Sequence, residues 1–115
     1  QSSFDVESAE AAIASLLERS VPFDAVVGAN DLIALAAIRS LLKEGVRVPD
    51  DVSVVGYDDL QLSAYGYPAL TTISQEPARA GRMLVAKLIA SADTGSMRSE
   101  RLPTELVVRE SCGLA

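Results

Sequence analysis

The sequence predicts an α/β fold, a parallel sheet with helices packed on it in a three-layer αβα arrangement. Three observations carry that expectation. "DAVVGA" (24–29) and "VSVVGY" (52–57) are short apolar runs without polar alternation, as in parallel strands covered on both faces. Between them, "DLIALAAIRSLLKEG" repeats its apolar residues at helical spacing. Strand, helix and strand in that order make a βαβ unit, so the two strands run parallel with a right-handed crossover.

Each further element has its own warrant. A first helix is expected over 7–19, with Ala11, Ile13, Leu16 and Leu17 on or near one face and Asp5 or Ser8 as cap; Pro22 ends that region. The second helix follows the first strand at once, with Asn30 or Asp31 as N-cap and Gly45 as its stop. A "VPDD" turn leads to the second strand. Residues 58–69, with Gly66 and Pro68, read as irregular, and "LTTI" (70–73) as a short β-branched segment. A third helix is expected over 77–92. Pro77 suits a first helical turn, and Ala80, Leu84 and Leu88 repeat every four residues, backed by Val85 and Ile89. "SADTGSMRSE" (91–100) reads as a polar surface connection, and Leu106, Val107 and Val108 support a final strand.

Composition narrows the function classes. With 115 residues there is room for one domain or part of one. Such a chain buries roughly two-thirds of its unfolded surface, enough for a real core. A net charge of −6 argues against a broad basic nucleic-acid footprint on this chain. No His is present, which removes the usual general base and any Ser-His-Asp arrangement. Cys112 is the one cysteine, so no internal disulfide forms, a conventional zinc site is not expected, and a reducing compartment is consistent. The start, "QSSFDVESAE", has neither the basic end nor the apolar core of a signal peptide, and no apolar run is long enough to span a bilayer. The chain begins at Gln1 rather than Met, as a mature or excised piece does.

In an open parallel sheet, ligands bind beyond the carboxyl ends of the strands. Here both predicted strands run into polar pairs, Asn30-Asp31 and Asp58-Asp59, so Asn30 and Asp58 emerge on one rim. Any one of these residues also serves as a helix cap or turn former, and Asp31 and Asp59 fit that role best. Two chemistries remain for the rim. An aspartate pair can hold Mg²⁺ and carry a phosphoryl group, but that needs Thr and Lys partners, and Lys43 and Lys87 both fall within helices. The alternative is hydrogen bonding by a carboxylate and an amide, which suits a polyhydroxylated ligand such as a sugar or nucleoside. No catalytic residue, metal ligand or cofactor is assigned. The second helix is apolar nearly all round in its first turns, with Leu32, Ile33 and Ala36 away from its main face. A second cover is therefore expected there, either a neighbouring segment or a partner subunit.

At this point the residues match a known pattern. "FDAVVGANDLIALAAIRSLLKEGVRVPDDVSVVGYDD", then "PALTTISQ" and "LPTELVVRES", resemble the C-terminal part of the lactose-repressor/galactose-repressor (LacI/GalR) family over about residues 4–113. The resemblance implies a cytoplasmic bacterial transcription regulator, not an enzyme, with a two-lobed core of the periplasmic-binding-protein-like type I fold. It implies an effector, often a sugar or nucleobase, held by Asn30 and Asp58, with Gln75 near the hinge and cleft. It implies a homodimer through the second helix and the irregular stretch, at Leu32, Leu35, Ala36 and Tyr65. The chain then divides into 1–73, part of the C-terminal lobe; 74–101, a hinge crossing and a helix that packs in the other lobe; and 102–115, a returning strand and tail. DNA would be reached only through a headpiece absent from this chain, which alone is expected neither to bind DNA nor to close a cleft. A periplasmic sugar-binding protein of the same architecture is the nearest rival reading, and a Mg²⁺-dependent phosphotransfer domain using Asp58 the more distant one.

Overall fold

In a computed structural model that describes residues 5–95 and 99–114, the first element is α1 (Val6–Glu18). Asp5 is its cap: the carboxylate accepts the Ser8 N–H at 2.7 Å and satisfies one of the helix's orphan donors. β1 (Ala25–Val27), α2 (Asp31–Lys43) and β2 (Ser53–Val55) form the expected βαβ unit, with Ala25, Val26 and Val27 paired parallel to Ser53, Val54 and Val55. Asn30 caps α2, its Oδ1 accepting the Ile33 N–H at 2.9 Å.

The core forms where α2 lies on the sheet. Val54 and Leu41 are fully buried, with Ala34, Ala37 and Ile38 of α2, Ile13 of α1, Val52 and Leu70 around them and Val26 packed alongside. Burying one such Leu or Val side chain contributes about 1.5–3 kcal/mol. On the other side of α2, Ile33 and Ala36 pack on Ala9 of α1. The second cover of α2 is thus a neighbouring segment at those two positions. β1 departs from the expectation of a strand covered on both faces. Val26 turns toward the core, but Ala25 is exposed and Val27 is 80% exposed, because no described helix covers that side.

The second half of the chain is more open. The stretch expected to be irregular contains α3 (Gln61–Tyr65), a helix too short to show a periodicity. β3 (Thr72–Ser74) pairs antiparallel with β4 (Glu105–Val107), which starts one residue before the expected strand, and a parallel bridge from Val55 to Thr71 joins this ladder to β2. A 3-10 turn, Glu110–Cys112, fastens the tail. There the buried Ser111 donates to the Val54 carbonyl at 2.5 Å and accepts the Thr71 N–H at 2.9 Å. Cys112 is half-buried, as expected of a small packed thiol.

α4 (Pro77–Thr94) runs two residues beyond its expected end, to a left-handed Gly95. None of its residues is buried, and Leu84, Val85, Leu88 and Ile89 face solvent. The radius of gyration, 17.8 Å, is well above the roughly 13 Å of a compact domain this long. The molecule is correspondingly elongated, at 59 × 28 × 20 Å. Of the expected 91–100 connection, 96–98 lie outside the described residues. Among the described residues no helix is long and apolar enough to cross a membrane.

Candidate ligand-binding site

The carboxyl ends of β1 and β2 are tied together. Gly28 N–H donates to the Val55 carbonyl at 2.8 Å, and Asp31 N–H donates to the Tyr57 carbonyl at 3.0 Å. Each strand ends in glycine for a steric reason. A Cβ at Gly28 would lie 2.8 Å from the Ala34 Cβ, and one at Gly56 would run into Asp31 Oδ1 and the Leu70 side chain. Glycine therefore lets α2 start close against the strand ends and bring Asp31 beneath the rim.

Asp31 is not a cap, as its position before the helix had suggested. It is fully buried, and its carboxylate accepts the Leu60 N–H at 2.8 Å and the hydroxyls of Ser63 and Thr72 at 2.5 Å each. Asp59, expected to be simple turn chemistry, forms a part-buried ion pair with Arg109 at 2.8 Å. Arg109 also donates to the Leu70 carbonyl at 3.0 Å. The two adjacent aspartates after β2 therefore point to different tasks. Both have positive φ, 126° at Asp58 and 55° at Asp59, a conformation that costs a non-glycine residue on the order of 1–3 kcal/mol. Asp58 is held in it by its N–H on the Ile73 carbonyl at 2.9 Å, and Asp59 by its N–H on Thr72 Oγ1 at 3.3 Å.

This turn delivers Asp58 into an open cleft of about 750 Å³. Tyr57, Asp58 and Leu60 form one wall; Gln75, Pro77 and Ala80 at the start of α4 form another; Glu100, Arg101, Leu102 and Thr104, returning toward β4, form the third. Gln75 Nε2 donates to Asp58 Oδ1 at 3.0 Å, so the structure brings these two expected site residues together. Asn30 stands on the same rim but is not part of the cleft lining, and its Oδ1 is committed to the α2 cap. Its amide N–H groups are not used by that bond. The cleft is lined by the carboxylates of Asp58 and Glu100, the latter ion-paired with Lys87 at 3.2 Å, by Arg101 and by Tyr57. That mixture matches a small polar molecule with several hydroxyls. It does not match a phosphotransfer site, because Asp59 is turned to Arg109 and the neighbour of Asp58 is an amide. Among the described residues no three His, Cys, Asp or Glu side chains cluster as metal ligands would.

Tyr57, Arg101 and Thr104 were not singled out from the sequence. Tyr57 is adjacent to Asp58 and had a local signal; Arg101 and Thr104 enter only because β4 pairs with β3.

The residues expected at a dimer surface separate into two groups. Leu32 and Tyr65 are exposed, and half-buried Leu35 lines a shallow groove with Ile38, Leu42, Tyr67 and Pro68. Ala36 is 5% exposed and packs with Ala9 of α1 and with Ile33.

Comparison with known proteins adds the wider context. The family model for the periplasmic binding protein-like domain matches residues 2–112. The HTH-type transcriptional regulator CelR of Thermobifida fusca is 41% identical over 111 residues, covering 94% of this chain and 32% of that protein. A solved CelR–cellobiose complex superposes with a TM-score of 0.82 at 39% identity, over 96% of this chain and 34% of the other. The lac repressor dimer bound to operator and the anti-inducer ONPF superposes with a TM-score of 0.90 at 32% identity, with the same two coverages of 96% and 34%. The chain thus spans about a third of the length of the relatives it matches. These relatives are transcriptional regulators, as the resemblance to the LacI/GalR family implied.

Proposed function

This chain belongs to the periplasmic binding protein-like domain family, and from that membership we propose that it is the effector-binding and dimerisation segment of a bacterial transcriptional repressor. In this reading it is cytoplasmic and not an enzyme, and it senses a small polar ligand of the sugar or nucleoside class. The observation that carries the reading is the Asp58–Gln75 pair, set in an open cleft at the carboxyl rim of parallel strands.

The ligand's hydroxyls donate to the Asp58 carboxylate and accept from Arg101, while Tyr57 lies against the less polar face of the ring. Asn30 contributes its amide N–H groups from the rim. Gln75 follows β3 and leads into α4, so a ligand bridging Asp58 and Gln75 also bridges the lobe at 1–73 and the crossing at 74–101. Residues 102–115 return to the first lobe. Closure about this crossing changes the relative placement of the lobes, and different ligand contacts in the two arrangements supply the bias. Dimerisation uses the apolar strip of Leu32, Leu35 and Tyr65. DNA is bound through a headpiece outside this chain, a reading that the operator-bound lac repressor dimer among its structural relatives supports only as far as operator binding.

The test is titration of the full-length protein with cellobiose, a pentose and a purine base, followed by operator binding with and without the molecule that binds. One of these probes binds, and Asp58→Ala weakens it by about 10- to 100-fold, the effect of losing hydrogen bonds to a charged group. An unchanged effector response in Asp58→Ala overturns the assignment.

A further inference from the structure

Asp31 is a fully buried carboxylate with hydrogen bonds on both oxygens, and it lies outside the cleft. It is 0% exposed, and its two oxygens take three donors from two other elements: Leu60 N–H and Ser63 at α3, and Thr72 in β3. Its own N–H is on the Tyr57 carbonyl. Thr72 Oγ1, while donating to Asp31, accepts the Asp59 N–H. The residues Tyr57 to Leu60 are therefore gripped at 57, 59 and 60 by Asp31, directly or through one hydroxyl. Asp58 sits in the middle of that grip, at a φ of 126° that an aspartate does not adopt unless its surroundings impose it.

We propose that Asp31 is a positioning residue for effector recognition, holding the strained Asp58 turn in its binding geometry and clamping it to α3. The proposal rests on the reading of Asp58 as the ligand's acceptor. A buried carboxylate satisfied on both oxygens makes a stiff anchor, because losing one donor leaves an unpaired acceptor in a dry site. Its contribution to binding passes entirely through Asp58.

The experiment uses Thr72→Val and Ser63→Ala in the full-length protein, each removing one hydroxyl from Asp31, with Ile13→Val as a core control away from the turn. Amide hydrogen exchange is read first and needs no ligand. Positioning predicts that exchange at Asp58, Asp59 and Leu60 speeds up by about tenfold or more in both hydroxyl variants and not in the control. If the turn amides keep their wild-type rates, or the control speeds them equally, Asp31 is only part of the core and the proposal is wrong. The second readout is a double-mutant cycle with cellobiose or whichever probe sugar or base binds. Thr72→Val weakens binding about tenfold alone and adds nothing in an Asp58→Ala background. Additive losses overturn the proposal while leaving Asp58 as a ligand contact; loss of the Asp58→Ala effect itself overturns the functional reading, whatever the exchange rates show.

Discussion

α2 and α4 are similar helices to a sequence reader and opposite ones in the structure. Both carry apolar residues at helical spacing, but α2 buries six apolar residues, Ile33, Ala34, Ala36, Ala37, Ile38 and Leu41, against α1 and the sheet, and α4 buries none. An apolar stripe states that a helix will be covered and leaves open by what. For α2 the cover is inside the chain. For α4, the described residues leave Leu84, Val85, Leu88 and Ile89 bare. Among the described residues α4 is held by its own backbone bonds and by the Lys87–Glu100 ion pair at 3.2 Å to the returning segment, with no buried apolar face to add to them.

The sharpest way to test the contrast is to truncate one leucine in each helix of this chain. Leu41→Ala removes a fully buried side chain and lowers stability by about 2–5 kcal/mol, read as a shift in denaturant midpoint at constant slope. Leu88→Ala, at a position 53% exposed, shifts the same midpoint by less than about 0.5 kcal/mol. Equal losses would mean that α4 packs on something in solution. A smaller effect is expected where α2 meets the strands. Gly56→Ala pushes a methyl group into Asp31 and Leu70 and costs about 1–3 kcal/mol, with the near-ultraviolet signal of Tyr57 changing as the turn shifts. Smaller again is the cap of α2: Asn30→Ala costs about 0.5–2 kcal/mol, while Asn30→Ser keeps a side-chain acceptor and most of the stability. If Asn30→Ser also preserves ligand binding, the residue's part at the rim is the cap alone.

The smallest effect lies at the exposed turn before β2. The Arg47 side chain, and then its backbone N–H, hydrogen-bond Asp51 and hold that carboxyl below the usual carboxylate range. A depressed folded value means that the stabilisation is present above the ordinary carboxylate pKa and fades as pH falls through the lowered one. Both groups are open to water, so the effect is confined to the titration of Asp51. Carbon-13 NMR in Arg47→Gln is expected to show that titration moving up toward the ordinary range.

The legible parts of this fold were those with local signals. The βαβ order, the helix positions within a residue or two, and the placing of Asn30 and Asp58 on one rim follow from runs, periods and caps in adjacent residues. The roles of the polar pairs did not follow, because the partners are remote: Asp31 meets Ser63 and Thr72 at separations of 32 and 41 residues, and Asp59 meets Arg109 at 50. An Asp just ahead of a helix looks the same in sequence whether it caps the helix or bolts two loops together. α3 escaped because five residues contain barely more than one turn. The exposure of Val27 escaped because a continuous apolar run marks a strand that needs two covers, and only one is present among the described residues.

The bare stripe on α4 also sets how this chain behaves as a solute. A bare apolar stripe favours association between copies, and a net charge of −6 opposes it. Repulsion reaches about 30 Å in 0.01 M salt and only about 8 Å at physiological ionic strength. Dispersed chains in dilute buffer should therefore become progressively stickier as salt is added. Electrolyte, usually a neutral choice in preparing a protein, decides here whether the copies stay apart.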